Sequence, residues 1–104
     1  MAYRSREEAE FQDKVVAFCQ WLHLLVYHVG RSDKALVTSK GFPDLVISGP
    51  FGTVFAELKS ETGKPSVEQT VWMASLSRSC EHVYLWRPSD WPQIEAVLRK
   101  VAGR

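Results

Sequence analysis

The chain has 104 residues, of which 45% are hydrophobic and 24% are charged, so it can bury one hydrophobic core with little left over for a second. No apolar run approaches the roughly 20 residues that a membrane-spanning helix needs, so we expect no membrane partner. The net charge of +1 argues neither for nor against a nucleic-acid partner, and any electropositive surface must therefore be local.

The N-terminal segment, Met1 to Glu7, lacks an apolar signal core, and we expect a cytoplasmic protein. Cys19 and Cys80 lie far apart in the sequence and match no metal-binding spacing, so both are predicted to be buried, reduced thiols. No repeat, low-complexity tract or linker interrupts the sequence. Residues 1–104 are therefore predicted to form a single domain.

A first helix is predicted from Arg6 to about Val26, with Ser5 as its N-cap. Three acids, Glu7, Glu8 and Glu10, lie in its first turns, where the helix dipole favours negative charge. At about 100° per residue, Glu8 falls about 40° from the centre of the apolar stripe and Glu10 about 120° away. A carboxylate beside a core is costly unless a metal or a lysine pairs with it, which makes Glu8 the candidate functional acid. The stripe consists of Phe11, Val15, Phe18, Leu22 and Leu25.

The segment from Leu24 to Val29 is rich in β-branched and aromatic residues and is predicted to lead into a first strand. The segment from Gly30 to Gly41 is polar and basic, and it is long for a loop in so small a domain. It is either a solvated connector or a loop that faces a substrate. Its position directly before Asp44 favours the second interpretation.

Two strands, Asp44–Ser48 and Thr53–Lys59, form a predicted hairpin around a glycine-flanked turn. Side chains two residues apart on a strand share a face, so Glu57 and Lys59 project together. Asp44 can reach the same place, although a bulge or a splayed strand is needed to bring both carboxylates within the roughly 4 to 5 Å that one cation bridges. Two carboxylates and a lysine in one place suit Mg²⁺ and a phosphodiester.

A second helix is predicted from Ser66 to about Ser77, with Val71, Trp72 and Leu76 on its buried side. Ser66 and Gln69 form a capping box at its start, and capping alone would account for Gln69.

A strand over His82–Trp86 and a last helix complete the chain, and Ser89 or Asp90 is the predicted N-cap of that helix. The order of elements is α-β-β-β-α-β-α. It predicts an α/β fold in which helices cover both faces of a mixed sheet. The last helix has the apolar stripe Ile94, Val97, Leu98 and Val101.

Several of these segments together resemble a known family of nucleases. Pro43-Asp44 followed by Glu57-Leu58-Lys59 resembles the PD-(D/E)xK signature of the restriction-endonuclease-like nucleases, and the finer pattern resembles the virus-type replication-repair nucleases, VRR-NUC. The matching segments occur in the family's order and cover nearly the whole chain. They are Glu8, Gly41-Phe42-Pro43-Asp44-Leu45, Glu57-Leu58-Lys59, Gly63-Lys64-Pro65-Ser66-Val67-Glu68-Gln69 and Trp86-Arg87-Pro88.

The resemblance implies a restriction-endonuclease-like core and a divalent-metal endodeoxyribonuclease that uses Mg²⁺ or Mn²⁺. Asp44 and Glu57 would bind the metal, with the backbone carbonyl of Leu58 and the outer-shell Glu8 as further ligands. Lys59 would orient or activate the attacking water and stabilise charge on the phosphorus. Gln69 would hold a metal-bound or nucleophilic water from the start of its helix.

The resemblance also implies a DNA substrate. Small stand-alone members of the family are similar to homodimeric Holliday-junction-resolving enzymes of phages and bacteria. Four basic residues near the predicted site are candidates for contacts with DNA phosphates: Arg31, Lys34, Lys40 and Lys64. Exposed aromatic residues could build a dimer interface, although most are expected to fill the core; the candidates are Trp72, Tyr84, Trp86 and Trp91.

Two other classes of protein remain open. The chain could be a DNA-binding module of the same fold that does not cut, although intact Asp44, Glu57 and Lys59 argue against it. The acids could also form a structural salt-bridge cluster in an unrelated small α/β interaction protein.

Overall fold

A computed structural model of the protein describes residues 5–29 and 40–104. The elements follow the predicted order, with a short 3-10 helix at Pro88–Asp90 before the last helix. The helices and strands are α1 (Arg6–Trp21), β1 (Leu25–His28), β2 (Leu45–Gly49), β3 (Gly52–Leu58), α2 (Val67–Ser77), β4 (His82–Trp86) and α3 (Trp91–Ala102).

The four strands form one mixed sheet in the order β1-β2-β3-β4. β1 and β3 both run antiparallel to β2, whereas β4 runs parallel to β3. The β2–β3 ladder pairs each residue in turn from Gly49 opposite Gly52 to Leu45 opposite Ala56. These five pairs are in register without a bulge, because a two-residue connection joins the strands, and Asp44 lies just before β2, beyond the last pair of this ladder.

One face of the sheet packs against α1 and α3 and forms the hydrophobic core. Alternate residues of β2 and β3 point to this face and meet the apolar stripes of both helices. Trp86 at the end of β4 is also fully buried there, and its indole N–H donates to Gln93 Oε1 of α3 at 3.1 Å. The buried apolar residues of the core are Phe11, Val15, Cys19, Leu22, Leu24, Leu45, Ile47, Val54, Ala56, Leu58, Trp86, Ile94, Leu98 and Val101.

α1 ends five residues earlier than predicted, at Trp21. His23 adopts the left-handed conformation with φ 63°, and the N–H groups of His23 and Leu24 donate to the carbonyls of Gln20 and Cys19. This is a Schellman cap, in which the left-handed residue is usually glycine, so the sequence gives little sign of it. Leu25, predicted to lie on the helical stripe, is instead an exposed residue of β1.

The other face of the sheet carries Asp44, Phe55 and Glu57 and is partly covered by α2, so helices lie on both faces as predicted. Phe42 joins the two layers because its ring makes edge contacts with Trp72 of α2 and Phe55 of β3, at centroid distances of 4.9 and 6.1 Å.

The predicted buried side of α2 is partly wrong. Val71 is 62% exposed, while Trp72 and Leu76 are half-buried, and the only buried residue of this helix is Gln69.

α3 begins after Asp90, one of the two predicted N-caps, and ends at Gly103 in the left-handed conformation. The burial of Trp86 removes it from the aromatic residues that could form an interface, whereas Trp72, Tyr84 and Trp91 are half-buried. Within residues 5–29 and 40–104, no helix is both long and apolar enough to cross a membrane.

Candidate active site

Asp44 and Glu57 lie at the end of the β2–β3 hairpin away from its turn. Asp44 directly precedes β2, and Glu57 directly follows Ala56, the residue opposite Leu45, so the two acids flank the last pair of the ladder. Asp44 is 5% exposed and Glu57 is fully buried. The backbone N–H of Leu58 donates to Asp44 Oδ2 at 3.0 Å, which ties the first carboxylate to the strand that carries the second.

Lys59 completes the buried charge cluster. Its Nζ lies 3.3 Å from Glu57 Oε2, and its side chain is only 11% exposed. The Lys59 N–H donates to the carbonyl of Trp86 at 3.0 Å, so the parallel pairing with β4 fixes the backbone beyond the last residue of β3. The prediction that Glu57 and Lys59 project together therefore agrees with the geometry.

Gln69 both caps its helix and contacts the acidic pair. Its Oε1 accepts from the N–H of Ser66 at 2.8 Å, which closes the capping box. Its Nε2 donates to Glu57 Oε2 at 2.7 Å. The two ends of one amide thus make two contacts, so the helix cap does not use up Gln69 and its Nε2 reaches the predicted site.

Gly41 lets the start of α2 approach the Asp44 strand. Its φ is +89°, and a Cβ there would lie 2.5 Å from the carbonyl carbon of Glu68 and 2.7 Å from the nitrogen of Gln69. A glycine is needed because both the conformation and the space exclude a side chain. The approach holds Gln69 against Glu57.

Glu8 and Glu10 lie in different surroundings, as the helical-face prediction expects. Glu8 Oε2 accepts from the N–H of Ser60 at 3.4 Å, so its carboxylate lies against the turn that follows β3. Glu10 is on the surface, where it pairs with Arg6 at 3.6 Å.

Two of the four basic residues predicted to bind DNA can be located. Lys40 and Lys64 are both exposed, and Lys40 Nζ lies 3.9 Å from Glu68 Oε2 near the start of α2. Arg31 and Lys34 lie outside the described residues.

Arg87 is a residue of the site region to which the sequence assigned no role. Its Nη1 donates to the carbonyl oxygens of Ser60, Glu61 and Gly63 at 2.6, 3.2 and 2.7 Å. It therefore binds the turn between the Lys59 strand and α2. The signal that could have identified Arg87 is its position in the Trp86-Arg87-Pro88 segment, which forms part of the resemblance.

The donor set fits a hard divalent cation that keeps several water ligands. Mg²⁺ is commonly bound by one or two carboxylates together with water and substrate phosphates. Asp44 and Glu57 supply two carboxylates from neighbouring strands. Among the residues that the structure describes, no group of three or more His, Cys, Asp or Glu side chains is arranged to hold a metal.

In structure, the chain is similar to two solved proteins. One, called a VRR_NUC domain, aligns with a TM-score of 0.66 and 19% identity over 91% of this chain and 97% of its own. The other, called a VRR_NUC domain protein, aligns with a TM-score of 0.64 and 16% identity over 95% of this chain and 91% of its own. No protein-family model and no curated protein matches the sequence. The chain has the fold of these VRR_NUC domains, which confirms the fold class predicted from the motifs.

Proposed function

We propose that this chain, whose fold is that of VRR_NUC domains, is a divalent-metal-dependent endodeoxyribonuclease formed by one nuclease domain over residues 1–104. The observation that carries the proposal is the buried contact set of Glu57, whose Oε2 lies 2.7 Å from Gln69 Nε2 and 3.3 Å from Lys59 Nζ, with the Asp44 carboxylate bonded to the next residue of the same strand, Leu58. Asp44, Glu57 and Lys59 are the residues that the PD-(D/E)xK motif marks.

The cost of this arrangement supports a functional role. A buried ion pair is often no more stable than apolar residues of the same volume, because desolvation offsets the attraction between the charges. Two acids and a lysine that are all nearly buried at the end of a sheet therefore need an explanation other than stability. Buried charge clusters that cost stability are concentrated at functional sites.

Each side chain has a defined task in the proposed hydrolysis. Asp44 and Glu57, with the carbonyl of Leu58 and Glu8 as further oxygen donors, would hold Mg²⁺ or Mn²⁺. Such an ion supplies Lewis-acid stabilisation of charge on a phosphoryl group. Lys59, fixed beside Glu57, presents a positive charge to the phosphate and orients the attacking water. Gln69 holds that water from the start of α2.

The proposed substrate is branched DNA, with a four-way junction as the preferred form. Arg31, Lys34, Lys40 and Lys64 contact backbone phosphates, which gives affinity without reading the sequence. Selectivity then comes from the shape of the DNA.

The proposed active form is a homodimer in the cytoplasm, where the chain serves phage or bacterial DNA replication, recombination or repair. Two sites related by a twofold axis would match two symmetric cuts across a junction.

The test is cleavage of a labelled four-way junction beside a linear duplex of the same sequence, in Mg²⁺ or Mn²⁺ and in EDTA. We expect metal-dependent cutting of the junction by the wild type and a loss of at least about 100-fold in Lys59→Ala, since one preorganised electrostatic group contributes that much. Lys100→Ala, which removes a lysine from the exposed side of α3, is the matched control and should cut as the wild type does.

Three results would contradict parts of the proposal. Equal cutting of both substrates would contradict the junction preference alone. Tight junction binding without cutting would identify a DNA-binding module of the same fold. Neither binding nor cutting would leave the buried charges as a structural cluster, and the nuclease proposal would be wrong.

A further inference from the structure

The turn from Ser60 to Gly63 connects the strand of Glu57 and Lys59 to the helix of Gln69, and charged side chains hold it from two sides. The carbonyls of Ser60, Glu61 and Gly63 all face the Arg87 guanidinium, at 2.6 to 3.2 Å. On the other side, the N–H groups of Ser60 and Glu61 each donate at 3.4 Å, to Glu8 Oε2 and Glu7 Oε2 of α1. The peptide group between Ser60 and Glu61 thus has its N–H at a carboxylate and its carbonyl at a cation, and both charges stabilise the same orientation.

Arg87 is itself fixed by its neighbours. Its backbone N–H donates to Asp90 Oδ2 at 2.8 Å, which anchors the start of the 3-10 helix. The Glu61 carboxylate accepts from the N–H and the hydroxyl of Ser89 at 2.6 and 3.0 Å, so the turn and the 3-10 helix are joined a second time. Arg87 follows Trp86 directly, and the carbonyl of Trp86 accepts from the Lys59 N–H. The position of Arg87 is therefore linked to that of Lys59 through β4.

We infer that Arg87 is a positioning residue for the site: it acts through the Ser60–Gly63 turn to hold Lys59 and Gln69 on either side of Glu57. The turn lies on the segment of chain that joins Lys59 to Gln69. If it relaxed, the ammonium and the amide could no longer hold the same carboxylate oxygen, which they approach at 3.3 and 2.7 Å. The inference rests on the proposed nuclease function for its catalytic consequence, but not for its structural part.

Arg87→Met tests the inference, because it keeps the apolar stem of the side chain and removes all the guanidinium donors. The structural readouts are amide hydrogen exchange at Ser60, Glu61 and Gly63 and the NMR signals of the Lys59 side chain, neither of which needs activity. We expect exchange to rise at least about tenfold, as local opening of the turn becomes easier, and the Lys59 signals to shift. For cleavage we expect kcat to fall about 10- to 100-fold with little change in KM, because the groups are misplaced rather than removed.

Arg87→Lys separates positioning from a direct contact with DNA. It keeps the charge, but the lysine side chain is one bond shorter, so its ammonium cannot reach the place that Nη1 occupies among the three carbonyls, and kcat should stay low. If Arg87 contacted a DNA phosphate instead, Arg87→Met would raise KM, and Arg87→Lys would return KM to the wild-type value. Arg99→Met is the matched control, since Arg99 pairs with Glu95 on α3 at 3.2 Å and does not touch the turn.

The outcomes keep the two proposals apart. Unchanged exchange in the turn and unchanged Lys59 signals in Arg87→Met would overturn the positioning role, whether or not the wild type cuts DNA. A loosened turn with unchanged kcat in an active enzyme would overturn it as well. If the wild type does not cut DNA but Arg87→Met loosens the turn and shifts the Lys59 signals, the nuclease proposal alone is overturned.

Discussion

Removing Glu57 and Lys59 singly and together should show that each buried charge is stable only in the presence of the other. At 3.3 Å and an effective dielectric constant of about 20, the two charges attract by about 5 kcal/mol before desolvation is counted. In Lys59→Met the fully buried Glu57 carboxylate loses its ammonium partner, and we expect a loss of about 3–5 kcal/mol in the free energy of unfolding.

The two single variants should not be equivalent. Glu57→Gln preserves the shape of the side chain and an oxygen that can accept from Gln69. The Lys59 side chain, which loses its carboxylate partner in this variant, is 11% exposed, so its ammonium can move toward water. We therefore expect a smaller loss, about 1–3 kcal/mol. The double variant, which buries no charge at this pair, should return to within about 1 kcal/mol of the wild type, a coupling of at least about 3 kcal/mol.

The assay is urea denaturation followed by circular dichroism, in EDTA so that no metal replaces the ammonium. The exposed pair Glu95 and Arg99 is the matched control. Its N···O distance is 3.2 Å, but its side chains are 42% and 39% exposed, so the same cycle should give a coupling below about 0.5 kcal/mol. Additive losses in the buried cycle, or equal coupling in both cycles, would refute the view that burial makes this pair costly.

Two further results are expected from the backbone and the thiols. Gly41→Ala should lose about 1–3 kcal/mol of stability in urea denaturation and most of its cleavage activity. The reason is that φ +89° is strained for alanine and its Cβ would lie 2.5 Å from Glu68, which forces the start of α2 away from Glu57. Wild-type stability in this variant would contradict the close approach. Burial raises the pKa of the Cys19 thiol to about 12, so almost no thiolate is present at pH 8. Cys80, predicted to be buried as well, is only partly buried, so that prediction is wrong for this residue. A disulfide-exchange reagent should therefore titrate only Cys80 in the native protein and both cysteines in urea, and equal rates for the two native thiols would contradict the burial of Cys19.

The elements themselves could be predicted from local patterns. The capping box at Ser66 and Gln69 and the β-branched and aromatic strand at His82–Trp86 are signals carried within a few residues, and the structure has both where they were predicted. The end of α1 could not be predicted, because a histidine in the left-handed cap position at residue 23 looks like any other helical residue in the sequence. Burial on α2 was partly mispredicted, because Val71 is apolar but has no layer to cover it.

The sequence by itself determined the candidate site residues: Asp44, Glu57 and Lys59 from their places on two predicted strands, and Gln69 from the family resemblance, since capping alone accounts for it locally. Only the tertiary structure decided how they meet. It set the bond from Gln69 to Glu57, the approach of α2 over Gly41, and the contact of Arg87 with the Ser60–Gly63 turn. The physical reason is that periodicity and capping act over a few residues, whereas these contacts join segments far apart in the chain, where packing decides which groups come within hydrogen-bonding distance.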